Sequence, residues 1–255
     1  MYTPRQYVEQ FHLLFLDQLG RKVDKKLYAL KGGCNLRFFF GSLRYSEDMD
    51  LDVSGSLGRE VLQEKVDAIL GSKPFGDILR ARGIGIDRSS APKQTDTTQR
   101  WKLTLSAADG EVPMPTKVEF SRRGMEEDVR FEPVAPAVIA AYRLSPVMAN
   151  HYSAEAACRQ KIGALLFRRE TQARDIFDLS LLMRSGLDVR RLREEMSSQV
   201  ENIQDKAMAV GFEVFRSQVL AFLPPEQQVH YDSAEVWDRM VLEIVEALEG
   251  REGLG

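Results

Sequence analysis

Arg44-Tyr45-Ser46-Glu47-Asp48-Met49-Asp50-Leu51-Asp52 sets four carboxylates within six positions of an otherwise apolar segment. Its alternation of polar and apolar residues is the period of a β-strand, in which every second side chain shares a face. Read this way, Asp48, Asp50 and Asp52 lie together on one face while Met49, Leu51 and Val53 enter a core. Carboxylates gathered like this repel one another and call for a cation. A divalent metal with hard oxygen ligands relieves them, and Mg²⁺ is commonly held by one or two carboxylates together with the phosphates of a substrate. The stretch therefore points to phosphate chemistry. Glu47 falls on the opposite side of an ideal strand, as a solvated flank or a partner for Arg44. Ser46 is placed to hydrogen-bond locally and shape the strand start.

Upstream, residues 5–19 carry apolar side chains at helical spacing and predict an amphipathic first helix with Gly20 as its stop. A short apolar piece, Leu27 to Leu30, runs into Lys31-Gly32-Gly33. A helix start over 34–40 follows, then a basic loop to Arg44 and the acidic strand. Residues 59–70 predict a second amphipathic helix, with Val61, Leu62, Val66, Ile69 and Leu70 on its apolar side. From 82 to 121 the pattern changes to alternation and turns, with strands expected at 84–86, 100–105 and 116–121. Asp109-Gly110 is a turn signal for a hairpin with a connection of about ten residues. Pro133, Pro136 and Pro146 bracket an apolar segment readable as strand or helix. After His151 the chain reads as helical over 153–169, 173–184, 188–200, weakly 202–222, and 233–249, with Pro224-Pro225 as a break and 250–255 as a frayed end. The expected fold class is α+β: a small mixed-sheet domain over 1–150 followed by a helical domain over 151–255.

The chain has 255 residues, 44% of them hydrophobic, ample for a core. No apolar run approaches the roughly 20 residues that cross a bilayer, so no membrane partner is expected, and a cytoplasmic location follows. Two cysteines, Cys34 and Cys158, match no zinc or CxxC spacing and read as free thiols of a reducing compartment. A net charge of −3 does not advertise a nucleic-acid binder, yet arginines gather locally at 80, 82 and 88, at 122 and 123, and at 168, 169 and 174. His12, His151 and His230 form no metal-ligand spacing and read as packed or surface histidines.

Gly32-Gly33 precedes the acidic strand and exposes backbone N–H groups able to cradle a triphosphate, although a diglycine is also an ordinary tight turn. Neither the Walker pattern nor GxGxxG occurs in the chain. Leu30-Lys-Gly-Gly-Cys-Asn-Leu-Arg37 followed by Arg44-Tyr-Ser-Glu-Asp-Met-Asp-Leu51 resembles the GG…R-x-S-x-D-x-D-L signature of the AbiEii/AbiGii-type nucleotidyltransferase toxins, within the DNA polymerase β-like nucleotidyltransferase superfamily. Lys117-Val-Glu-Phe-Ser121 resembles the strand that brings a third acidic residue. Lys161-Ile-Gly-Ala-Leu-Leu-Phe-Arg168 with Arg174-Asp-Ile-Phe-Asp-Leu179 resembles the family's helical element. The resemblance spans roughly residues 28–182, with two departures: Cys34 replaces a small hydroxyl or alanine after the diglycine, and Gly32-Gly33 replaces the commoner Gly-Ser.

The resemblance implies a Mg²⁺-dependent enzyme that moves NMP from an NTP to an acceptor. Asp48 and Asp50 would hold the metal, and Glu119 would complete a second metal site or take the proton of the attacking hydroxyl. Asp52 is secondary. Gly32, Gly33, Arg44 and Ser46 would shape the nucleotide pocket. Lys161 would contact phosphate, and Asp175 and Asp178, at an i, i+3 spacing, would organise that lysine or bind base or ribose. The helical domain would close the nucleotide cleft. The implied role is the toxin of a bacterial toxin–antitoxin or phage-defence pair, with a cognate antitoxin and an RNA acceptor such as the tRNA 3′ end. The residues themselves also allow plainer readings: a solvent-facing Glu119, an exposed Lys161–Asp175 bridge, and Arg168 and Arg169 as helix surface. A non-catalytic NTP-binding regulatory module and transfer to a protein or small-molecule hydroxyl stand as alternatives.

Overall fold

The computed structural model describes residues 2–108 and 110–249. Asp109 of the expected hairpin turn and the glycine-rich end at 250–255 lie outside the described residues. The chain divides into two compact units, one taking in the chain up to Gly41 with Tyr45–Tyr152, the other Ser42–Arg44 with the chain from Ser153 onward.

The first unit holds a seven-stranded mixed sheet in the order β3-β4-β5-β2-β1-β7-β6. Its strands are β1 (Tyr28–Lys31), β2 (Asp48–Val53), β3 (Ile84–Gln94), β4 (Thr98–Ala107), β5 (Gly110–Ser121), β6 (Val129–Pro133) and β7 (Met148–Tyr152). β2 pairs parallel with β5, and β1 parallel with β7; the remaining neighbours are antiparallel. The acidic stretch is thus a strand at the centre of the sheet. Met49, Leu51 and Val53 are fully buried, as alternation predicts.

Helix α1 (Pro4–Lys22) packs across β4, β5 and β7. It begins with a capping box in which Thr3 accepts from the Gln6 amide and Gln6 reaches back to Thr3. The expected amphipathic helix is instead enclosed on nearly all sides: Glu9, Gln10 and His12 are as buried as Phe11, Phe15 and Leu16. Glu9 and His12 meet specific partners there, while neither polar atom of the Gln10 side-chain amide has a hydrogen-bond partner among the described residues. Arg37 Nε lies 2.6 Å from Glu9 Oε1, and the Tyr142 hydroxyl donates to Glu9 Oε2 at 2.5 Å. Gly20 does not stop the helix; a Cβ there would meet the Tyr28 hydroxyl at 3.3 Å, so glycine permits the close approach of β1.

Four further helices complete this unit: α2 (Gly32–Phe39), α3 (Arg59–Leu70), α4 (Lys73–Ala81) and α5 (Pro136–Ala141). α3 has the predicted limits, and the prolyl segment resolves as helix. The strands of the β3–β4–β5 meander are longer than alternation alone indicated. β3 runs on through the polar residues 89–94, and Ala107 pairs with Gly110, so the ten-residue connection contracts to a tight hairpin. β6 and β7 had no counterpart in the sequence reading, and residue 150 lies within β7.

The second unit is helical: α6 (Ala154–Phe167), α7 (Ala173–Met183), α8 (Val189–Glu195), α9 (Val200–Met208), α10 (Phe212–Gln218), α11 (Pro225–Tyr231) and α12 (Ala234–Glu249). Its core includes Trp237 stacked on Phe215 with ring centroids 4.7 Å apart. The weak segment at 202–222 divides into α9, α10 and a short 3₁₀ turn. Pro225 begins α11 rather than only breaking a helix, since a missing N–H costs nothing at the first helical position. No helix among the described residues is long and apolar enough to cross a membrane.

Candidate active site

Parallel pairing of β2 with β5 puts Asp48 opposite Lys117, Asp50 opposite Glu119 and Asp52 opposite Ser121. Residues paired across a sheet share a face, so the alternate residues of both strands bring Asp48, Asp50 and Glu119 together on the side away from Met49, Val118 and Phe120. Asp52 is set apart from this group. It is buried, with Lys31 Nζ at 2.5 Å from Oδ1 and the Tyr152 hydroxyl donating to Oδ2 at 2.9 Å. That carboxylate is committed to joining β1, β2 and β7. Glu47 is exposed, and Arg44, one suggested partner for it, engages Asp178 instead.

Two cations serve the acidic group. Lys117 Nζ lies 3.2 Å from Asp48 Oδ2, while the Lys117 amide donates to Asp48 Oδ1 at 3.2 Å. Arg100 on β4 lies 2.5 Å from Glu119 Oε2. Asp50 makes no hydrogen bond or ion pair among the described residues. Burial pushes its carboxyl above the usual carboxylate range, with Asp48 and Glu119 adding to the shift and Lys117 and Lys31 opposing it. The donor chemistry fits a hard divalent cation: carboxylate oxygens from adjacent strands, one of them short of positive charge. Among the described residues no three of these side chains converge as ligands. Asp48 and Glu119 are turned onto Lys117 and Arg100, the cations that a metal would displace.

Gly32 stands where β1 meets α2. Its φ of 66° is a left-handed conformation that favours glycine, and a Cβ there would lie 3.4 Å from Asp50 Oδ2. The diglycine therefore opens α2 directly beside Asp50, with Gly33 as the second residue of the helix. Ser46 does shape the strand start: its hydroxyl donates to the Asp48 carbonyl at 2.8 Å, and the Cys34 thiol approaches the same oxygen at 3.3 Å. The Thr116 hydroxyl, which donates to the Glu47 carbonyl at 2.6 Å, accepts from His12 Nε2 at 2.8 Å. Burial lowers the His12 pKa to about 3 and raises the Cys34 thiol well above its ordinary value. Both are therefore neutral packing groups at physiological pH. Cys158 is likewise a buried free thiol.

In the helical unit the predicted residues form a second group. Asp175 and Asp178 on α7 are fully buried. Lys161 on α6 bridges them, with Nζ 3.1 Å from Asp175 Oδ1 and 2.6 Å from Asp178 Oδ2. Arg44 Nη2 lies 3.1 Å from Asp178 Oδ2. Arg168 Nη1 is 2.8 Å from Asp175 Oδ2 without hydrogen-bond alignment, so its attraction is Coulombic. The exposed Lys161–Asp175 bridge of the plainer reading is thus a buried network. Burial alone would raise the Asp178 carboxyl, but Arg44 and Lys161 outweigh it and hold it below the usual range.

Three carboxylates on two neighbouring strands of one sheet thus lie beside a glycine-opened helix. The fold is shared with two Helicobacter pylori structures. "Crystal structure of JHP933 from Helicobacter pylori" is 19% identical, with a TM-score of 0.60, and the match covers 98% of this chain and 96% of that one. "Crystal structure of putative nucleotidyltransferase from H. pylori" is 19% identical, with a TM-score of 0.61, and the match covers the whole of both chains. No curated protein matches the chain. The family model described as "Nucleotidyl transferase AbiEii toxin, Type IV TA system" matches residues 14–249, and the chain belongs to that family. It is a nucleotidyltransferase of the toxin component of type IV toxin–antitoxin systems, which implies a nucleotide substrate and a cognate antitoxin.

Arg100 and Lys117 were absent from the sequence-derived site because their roles depend on cross-strand register. Two outcomes follow from the electrostatics. Asp50→Asn removes a carboxylate whose ionisation the fold disfavours. Its raised folded pKa makes it destabilising once the pH exceeds the unfolded value. Thermal melts at pH 7 should therefore show the variant more stable than wild type, with the difference vanishing as pH falls below about 4. Asp178→Ala takes a buried partner from Arg44 and from Lys161, which keeps Asp175, and should cost about 3–5 kcal/mol in denaturant unfolding. Because the Asp178 pKa is lowered, its contribution is present above the unfolded value near 4 and is lost as pH falls through the folded one.

Proposed function

We propose that the chain transfers NMP from an NTP to the 3′ end of an RNA, with tRNA as the leading acceptor, in a Mg²⁺-dependent reaction within the cytoplasm, as part of phage defence. The observation that carries this reading is the β2–β5 register, which pairs Asp50, itself in no ion pair among the described residues, with Glu119 and sets Asp48 beside them. Asp48, Asp50 and Glu119 would hold the Mg²⁺, whose chemistry is to neutralise triphosphate charge and align the reacting oxygens. The amides at the start of α2, freed by Gly32 and Gly33, receive phosphate oxygens.

The 3′ hydroxyl of the acceptor attacks the α-phosphorus, a new P–O bond forms, and the bond to the pyrophosphate oxygen breaks. Glu119 would take the hydroxyl proton once Arg100 releases its carboxylate. Lys161 would contact phosphate. Asp175 and Asp178 hold its ammonium in one position, and Arg44 secures Asp178. Ser46 supports the strand entry through the backbone of Asp48.

Incubation of the purified protein with each labelled NTP, Mg²⁺ and total RNA tests the reading. Label should pass to RNA with release of pyrophosphate, chelation should abolish transfer, and Asp48→Ala should lower the rate by at least about 100-fold. NTP binding without pyrophosphate release, or equal transfer by Asp48→Ala, would contradict it.

A further inference from the structure

The β3–β4–β5 meander carries a row of cations on the same face as the carboxylates. One rung of the sheet runs Ser90 on β3, Lys102 on β4, Lys117 on β5 and Asp48 on β2; the next runs Lys93, Arg100, Glu119 and Asp50. Arg88 sits opposite Thr104 one step further along β3. The other face of β4, with Trp101, Leu103 and Leu105, is buried in the core. Along both rungs no carboxylate occurs before β5.

Arg100 and Lys117 are already engaged with Glu119 and Asp48. Arg88, Lys93 and Lys102 make no hydrogen bond or ion pair among the described residues, and Arg88 and Lys102 are exposed. Three cations without an ion pair thus share one sheet face on a chain of net charge −3. Three strand spacings, about 14 Å, separate β3 from β2. The two rungs form a basic strip that ends at the carboxylates.

We infer that this strip, with Arg88, Lys93 and Lys102 as its contacts, is the docking path for the phosphate backbone of the RNA acceptor and delivers its 3′ end to Asp48, Asp50 and Glu119. The inference rests on the RNA-acceptor reading above and adds where that RNA lies. Charge complementarity supports it: cations spaced along a groove track a single-stranded backbone without reading its sequence. The triphosphate of the NTP is too short to require the β3 residues, so these residues distinguish acceptor from nucleotide.

The test compares Arg88→Gln/Lys93→Gln/Lys102→Gln with a control of equal charge change, Lys22→Gln/Lys26→Gln/Lys73→Gln, whose side chains are exposed elsewhere on the unit. Melting curves establish that both variants fold. Binding of labelled tRNA is measured across a salt series, and KM is measured separately for RNA and for NTP. The strip variant should raise the RNA Kd and KM by about tenfold or more and flatten the log–log salt dependence by roughly 2, at about 0.7 per lost single-strand contact. Its KM for NTP and the control's RNA affinity should stay at wild-type values. If wild type labels RNA and the strip variant does so with unchanged KM and salt slope, the docking path is overturned while the RNA-acceptor reading stands. If wild type labels a protein or small molecule and not RNA, both are overturned.

Discussion

The parallel pairing of β2 with β5 is the constraint on which the rest of the site depends. It sets acidic residues from sequence positions 48–50 against a lysine and a glutamate nearly 70 residues later, and it fixes which of them meet. A slip of one residue would turn Asp48 and Asp50 into the core and Met49 and Leu51 into solvent, so burial of the apolar face locks the register. Asp52 reinforces it from the other side, tying the strand to Lys31 and Tyr152. Hydrogen bonds from Ser46 and Cys34 hold the Asp48 carbonyl at the strand's entry.

Charge is balanced differently in the two units. In the sheet, two carboxylates have adjacent cations and the third has a raised pKa, a state that a bound cation would relieve. In the helical unit, buried Asp175 and Asp178 are met by Lys161, Arg44 and Arg168, so those carboxylates are stabilised as they stand. The first group is poised to exchange its partners. The second is costly to disrupt, because removal of Asp178 takes a partner from both Arg44 and Lys161 inside a buried network.

Much of this was legible in the residues. Strict alternation from Asp48 to Val53 and the helical spacing of 59–70 are local patterns with little competition, and the strand at Lys117-Val118-Glu119-Phe120 shows the same alternation. Other elements were hidden for physical reasons. β3 is polar along most of its length because its outer part lies beyond the core, and prolines at 113 and 115 mask the first half of β5. α1 escaped correct reading as a surface helix because Glu9 and His12 are buried against partners far away in sequence. Arg44 with Asp178, and Arg100 with Glu119, are long-range pairs that no local spacing announces. The family resemblance supplied Lys161 and Asp175, but not the enclosure that joins them.

The central claim is that the β2–β5 carboxylates form one cation-dependent site. Calorimetric titration of Mg²⁺ with a non-hydrolysable NTP analogue tests it most directly, on wild type and on Asp50→Asn verified as folded. The account predicts metal-dependent nucleotide binding by wild type and its loss in the variant. Equal Mg²⁺-dependent binding by both proteins would contradict it.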